Sequence, residues 1–228
     1  KAYDWPEGTA CLAPTRAEMD LVDAASVARY FEDNRPDVVI NPAAYTQVDR
    51  AQNDVAQAFR VNALGPAILA ELTARAGIPL VHVSTDYVFD GKADHPYTET
   101  DPASAANVYG ASKHAGELAV LSGNPRAVVV RTAWVFSPHG NNFVKTMIRL
   151  AGEKPSLGIV GDQHGCPTSA RDLASTLASI ALRMAADNDA PTGVYNFVND
   201  GSTTWAGLAR EVMKHLPGGG IPVSDIST

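Results

Sequence analysis

Apolar residues in this chain fall into short unbroken runs, separated by longer stretches with helical periodicity. Val38-Val39-Ile40, Pro79 to Ser84 and Ala127 to Arg131 are apolar at successive positions, which predicts strands buried on both faces. Thr9 to Ala13 reads as a further short strand. Ser26 to Asn34 carries Val27, Tyr30 and Phe31 on one side and stops before Pro36, the pattern of a helix. Asp54 to Ala76 predicts a long helix, with Asp54 as its N-cap candidate and Gly77 as its terminator. Val108 to Leu121 predicts another. Strands alternating with helices at this spacing imply right-handed crossovers, hence an α/β fold on a doubly wound parallel sheet. The segment from Asp86 to Asn107 is a loop long enough to suspect function.

Beyond Trp134 the rhythm changes. Helices are predicted over Asn142 to Ala151, Asp172 to Ala186 and Thr204 to Leu216, with strands at Leu157 to Val160 and Val194 to Val198. The expected division is a dinucleotide-binding domain over 1–141 and a smaller α/β substrate-binding lobe over 142–228, some of whose elements return to the sheet. A doubly wound nucleotide-binding sheet begins with a strand and a glycine-rich turn at a helix N-terminus. Here neither is seen. Lys1-Ala2-Tyr3-Asp4 reads like the tail of a first helix or the loop after it, so the sheet is expected to lack its first strand through trimming. Ile221 to Thr228 shows no clear terminal element, and trimming is expected there too. Gly218-Gly219-Gly220 reads as flexible punctuation, since no strand leads into it.

Composition narrows the class. The chain has 228 residues, enough to bury a substantial core. Its formal charge of −7, with no basic cluster, argues against nucleic acid as a partner. No apolar stretch is long enough to span a bilayer, and no signal peptide is visible, so no membrane partner is expected. Cys11 and Cys166 lie far apart without framework spacing, which suits a reducing cytoplasm. The histidines show no ligand spacing, and no structural metal is expected.

The candidate chemistry sits at Tyr109-Gly-Ala-Ser-Lys113. A phenol and an ammonium four residues apart project from one face of a helix. Ser84-Thr85 follows an apolar run, where a strand would end. A hydroxyl at a strand tip with Tyr-x-x-x-Lys is what ketone reduction by hydride requires. The phenol donates a proton to the developing alkoxide, the cation lowers the phenol's pKa, and the hydroxyl orients the carbonyl. An isolated Tyr-x-x-x-Lys is short, and usually marks an aromatic packed at a helix start. Its company here decides for chemistry.

Several runs together resemble the extended branch of the short-chain dehydrogenase/reductase superfamily that handles nucleotide sugars, and within it the dTDP-4-dehydrorhamnose reductase family. They are Arg35-Pro-Asp-Val-Val-Ile-Asn41, Ala43-Ala-Tyr-Thr-Gln-Val-Asp49, Val83-Ser-Thr-Asp-Tyr-Val-Phe-Asp-Gly91, Tyr97-Thr-Glu-Thr-Asp-Pro102, Asn107-Val-Tyr-Gly-Ala-Ser-Lys-His-Ala-Gly-Glu117, Arg131-Thr-Ala-Trp-Val-Phe136 and Asn141-Asn-Phe-Val-Lys-Thr-Met147. The resemblance implies a Rossmann-type fold and NAD(P)H-dependent reduction of the C4 ketone of dTDP-4-dehydro-L-rhamnose. It assigns Thr85, Tyr109 and Lys113 as the catalytic triad, with Asp20, Leu21, Ala43, Ala44, Tyr45, Tyr109 and Lys113 at the cofactor. Thr85, Asp86, Trp134 and Asn142 are assigned to the sugar nucleotide. The chain departs from the family in lacking the glycine-rich turn and the C-terminal Arg-Pro pair.

Bland roles are also expected: Asn62 pinning backbone, Asn142 capping a helix, Glu99 and Asp101 bracing the long loop, His114 packing. The strand end Ala13-Pro14-Thr15-Arg16 lacks the acid that binds a ribose 2′-hydroxyl, so NADPH is favoured, with NADH tolerated. Two other readings stand beside the reductase: a non-catalytic nucleotide-binding regulator, like the regulatory subunit of methionine adenosyltransferase, and a 4-ketoreductase for another deoxysugar nucleotide. Mg²⁺ dependence and oligomeric state, a homodimer included, stay open.

Overall fold

A computed structural model describes residue 3 and residues 5–228; Lys1, Ala2 and Asp4, part of the expected helix tail or following loop, lie outside the described residues. The chain forms two compact units, one comprising Lys1–Thr132 with Ser175–Asn196, the other Ala133–Ala174 with Phe197–Thr228.

The first helix, α1 (Ala24–Asn34), is capped by Asp23, whose carboxylate accepts the amides of Ala25 and Ser26. It leads to β1 (Val39–Asn41). A short helix, α2 (Val48–Ala51), precedes α3 (Val55–Phe59), which runs through a π-helical turn at Arg60–Leu64 into α4 (Gly65–Arg75). The single long helix expected over 54–76 is therefore one helical run with a π bulge in it. Asp54 sits at its N-cap position without capping, since its carboxylate accepts the Tyr45 hydroxyl at 3.2 Å instead. Gly77, at φ +68°, provides the expected left-handed exit. Then come β2 (Leu80–Thr85), α5 (Val108–Gly123) and β3 (Ala127–Thr132).

The second unit opens with β4 (Val135–Phe136), α6 (Phe143–Ala151), β5 (Leu157–Val160), β6 (His164–Gly165) and β7 (Thr168–Ser169). Helix α7 (Ala170–Ala186) begins there and ends in the first unit, where β8 (Gly193–Asn196) also belongs. The second unit resumes with β9 (Thr203–Thr204), α8 (Trp205–Lys214) and β10 (Val223–Ile226).

In the first unit β1, β2, β3 and β8 form one wholly parallel sheet in that order. Leu80, Val81, Ala127, Val128, Val129 and Val130 are buried, as continuous apolar runs demand of a covered parallel sheet. Its core joins Val27 of α1, Leu69 and Ala70 of α4, and Val120 of α5 to these strands. Thr9 to Ala13 is not a strand. Those residues are exposed and have no ladder partner, and among the described residues β1 at the sheet edge bonds only β2. A strand's apolar look cannot hold it in place without a neighbour to take its N–H groups.

In the second unit Met147, Leu157, Ala209, Val212 and Met213 form a separate core between α6, α8 and β5. Ile221 to Thr228 is not structureless: β10 pairs parallel with β5, Val223 opposite Leu157.

Candidate active site

Thr85, the last residue of β2, caps a 3₁₀ turn over Asp86–Val88. Its hydroxyl oxygen accepts the Tyr87 amide at 3.2 Å and donates to Asp86 Oδ1 at 3.0 Å. Helix α5 starts at an Asn107 cap, whose Oδ1 accepts the Gly110 amide at 2.8 Å. Gly110 is a necessity here, since a Cβ at that position would run into the Tyr87 carbonyl. The close approach sets the first turn of α5 against the tip of β2. It brings the Tyr109 phenol close enough to the Thr85 hydroxyl for that group to favour the phenolate, and sets its ring edge-on to Tyr87 at 5.6 Å.

Lys113, one turn further along α5, is 2% exposed. Its ammonium group donates to the Val83 carbonyl at 2.6 Å and lies 3.4 Å from His82 Nε2. Burial lowers this amine to about 8 against the pull of Glu117. Burial also lifts the Tyr109 phenol to about 12, with Asp86 and Tyr87 adding to the rise and Thr85 opposing it. The cation was expected to hold the phenol down. In this structure the Lys113 donors are turned onto β2 instead, because a buried amine must satisfy them locally.

Burial raises the Asp86 carboxyl to about 6, more than its hydrogen bonds from Thr85 and the local backbone offset. Between pH 3.8 and about 6 the folded protein then holds a proton that the unfolded chain has released. This term of the stability falls as pH rises through that window. Denaturation midpoints of wild type and Asp86→Asn compared from acid to neutral pH are expected to converge at the acid end. Parallel pH profiles would show the side chain to be solvated.

The assigned cofactor residues are arranged around β1. The Ala43 amide bonds Asn41 Oδ1 at 3.1 Å, and Ala43 and Ala44 offer only methyl groups past the strand end. Tyr45 is pinned at both its amide and its carbonyl by Asn62, at 2.7 and 3.0 Å, and Asn62 reaches Ser112 at 3.0 Å. Asn62 thus ties the β1 loop to α5. It does so from the π turn, where the extra residue re-aims a side chain. Leu21 is partly buried against the core, over Gly65. The Asp20 carboxylate accepts the Val22 amide and an exposed Arg16 guanidinium at 3.3 Å.

Within the second unit, Trp134 adopts φ +47°, a left-handed conformation costly for a bulky residue. Its indole stacks on Trp205 at 3.5 Å, and a Cβ on Gly165 would strike it. Asn142 caps α6, accepting the Lys145 amide at 3.1 Å and donating to the Ser137 carbonyl at 2.6 Å. Glu99 and Asp101 brace the loop in the first unit, through the amides of Asn196 and Thr98. His114 pairs with Glu117 at 3.2 Å.

The sequence reading missed His82, Asn41 and Ser112 as members of the site, and Trp205 as the partner of Trp134. A lone histidine inside the apolar run of β2 was the visible signal for the first. Among the described residues no three His, Cys, Asp or Glu side chains cluster to hold a metal, and no helix is long and apolar enough to cross a membrane.

A parallel sheet with Thr85 at a strand tip, under a helix carrying Tyr-x-x-x-Lys, has the architecture of the extended short-chain dehydrogenases/reductases. The model of the RmlD substrate binding domain matches residues 2–228. The dTDP-4-dehydrorhamnose reductase of Sinorhizobium fredii is 43% identical over 216 residues, covering 93% of this chain and 73% of that protein. The enzyme of that name from Burkholderia thailandensis is 46% identical over 201 residues, covering 87% and 67%. The crystal structure of dTDP-4-dehydrorhamnose reductase from Bacillus anthracis in complex with NADP superposes with TM-score 0.86 at 34% identity, covering 93% of this chain and 74% of that one. The chain belongs to the dTDP-4-dehydrorhamnose reductase family of oxidoreductases.

Proposed function

We propose that this protein reduces the C4 ketone of dTDP-4-dehydro-L-rhamnose to dTDP-L-rhamnose, with NADPH as the preferred reductant and NADH as a poorer one. The juxtaposition of the Tyr109 phenol and the Thr85 hydroxyl at the tip of β2 carries the proposal, because it sets a phenolic proton beside a hydroxyl that can hold a carbonyl oxygen. The residues fit a nicotinamide dinucleotide. Ala43 and Ala44 keep the end of β1 free of bulk, and Lys113 stands one helical turn from Tyr109 on α5. Arg16 is 74% exposed and spends only part of its five-donor fork on Asp20, which leaves N–H groups for a 2′-phosphate. The relative crystallised with NADP supports the same choice.

When bound, the dinucleotide supplies hydride. The chain's own part is to orient and to move a proton. Thr85 fixes the ketone oxygen, Tyr109 Oη gives its proton to that oxygen as charge develops, and Asn62 keeps the β1 loop and α5 in register. Asp86 accepts the Thr85 proton until the ketone oxygen takes that hydrogen bond in its place. Asp20, Leu21 and Tyr45 belong to the cofactor's side in this proposal, and Trp134 and Asn142 to the sugar nucleotide's.

The test is NADPH absorbance with the whole protein. Oxidation is expected only when the 4-keto sugar nucleotide is added, with dTDP-L-rhamnose as product. Dinucleotide binding without turnover would overturn the proposal and place the protein beside the methionine adenosyltransferase regulator. Turnover confined to another 4-keto deoxysugar nucleotide would replace the substrate alone.

A further inference from the structure

His82 is completely buried in β2, yet it is polar and lies between two site elements. On one side its Nδ1 is 3.1 Å from Asn41 Nδ2; on the other its Nε2 is 3.4 Å from Lys113 Nζ. Asn41 is not free to turn. Its Oδ1 accepts the Ala43 amide at 3.1 Å, and a main-chain N–H can only donate, so the amide presents its NH₂ to the ring. A donor at Nδ1 requires the ring lone pair there, which puts the single hydrogen of the neutral imidazole on Nε2. That hydrogen faces Lys113.

An ammonium would oppose N–H to N–H across this gap. A neutral amine would accept the bond through its lone pair, while still donating to the Val83 carbonyl. We propose that His82 is a positioning residue, its Nε2–H tautomer locked by Asn41, that makes Lys113 an exchangeable proton carrier rather than a permanent cation. The inference rests on the proposed role of Lys113 in the site.

The surroundings agree. Burial first, and then the Lys113 charge, hold His82 well below its ordinary value, with the Asn41 main chain pulling the other way. The ring is therefore neutral at working pH, and a tautomer is the relevant state. Around Lys113, Glu117 on α5 is the neighbour that favours the ammonium, and it is itself bound by Arg131 of β3 and by His114. Asp86 and Tyr87, from the turn after β2, act on Tyr109. Asn41 of β1 and Asn62 of the π turn, which bonds Ser112 next to Lys113, carry no charge. Burial sets the amine's lowered value, and His82 is the side chain whose tautomer adds to it through direct contact.

The experiment is NMR on the whole protein, without substrate. Nitrogen-15 imidazole spectra give the His82 tautomer, and lysine side-chain signals, assigned with Lys113→Met, give the Lys113 titration. The wild type is expected to show hydrogen on Nε2 and a Lys113 midpoint near about 8. Asn41→Ala frees the ring to take the other tautomer, and His82→Gln offers a carbonyl to the ammonium. Both should move the Lys113 midpoint up by about one pH unit. A role in packing alone would lower stability in either variant and leave that midpoint in place. A wild-type ring with hydrogen on Nδ1 overturns the proposal even if neither variant folds, as does an unmoved midpoint in a folded variant. None of these readouts uses turnover, so a failed NADPH assay would sink the proposed activity and leave this inference to its own result.

Discussion

Tyr109→Phe is expected to lower turnover of the 4-keto sugar nucleotide by about 10²–10⁴-fold, the usual worth of a positioned general acid. The ring's edge contact with Tyr87 does not need the hydroxyl, so the fold around α5 should persist. Thr85 keeps its bonds to the Tyr87 amide and Asp86, which limits the stability cost to about 1 kcal/mol. Dinucleotide binding should change little, because the part removed is a proton donor at the ketone. Steady-state kinetics read beside cofactor titration separate these effects. A variant with full turnover would falsify the assignment of the proton donor; equal losses of binding and turnover would point to a collapsed site instead.

Glu117→Ala should produce the largest loss of stability, about 3–5 kcal/mol, because it strands a buried guanidinium. Arg131 and Glu117 form a two-point pair at 2.9 and 2.7 Å, and both side chains are almost wholly buried. Burial alone would raise the Glu117 carboxyl, but the hydrogen bond and charge of Arg131 outweigh it and leave the group below its ordinary range. The effect extends beyond the pair. Arg131 lies over the Phe89 ring at 5.0 Å, and Phe89 stacks on Tyr97 at 4.2 Å, so the same guanidinium steadies the long loop after Asp86. Urea unfolding of Glu117→Ala measures the cost. Glu117→Leu with Arg131→Met should recover most of it, since a buried ion pair is seldom better than apolar groups of like volume. A single variant losing no more than about 1 kcal/mol would mean that water reaches the pair.

Much of this was readable from the residues in order. The runs at Val39, Leu80 and Ala127 could only be covered parallel strands, because no alternation marks a wet face. Tyr109 and Lys113 had to share a helix flank. Asn142 behaves as the cap that its position before a helix implies. What failed was pairing. Thr9 to Ala13 has a strand's look but no neighbour, whereas Val223 to Ile226 looked like a tail and found β5. Asp54 was a sound N-cap by type, yet the Tyr45 hydroxyl claimed its carboxylate.

The order of residues by itself settled the class of fold, the element spacing and the family chemistry, since periodicity and side-chain type are local properties. Three-dimensional packing alone decided that Lys113 donates to a strand carbonyl, that Asn62 staples a loop to α5, and that His82 stands between Asn41 and the amine. Those facts join residues up to tens of positions apart through single hydrogen bonds. A hydrogen bond depends on where the folded backbone places donor and acceptor, and that placement is written in no single stretch of the chain.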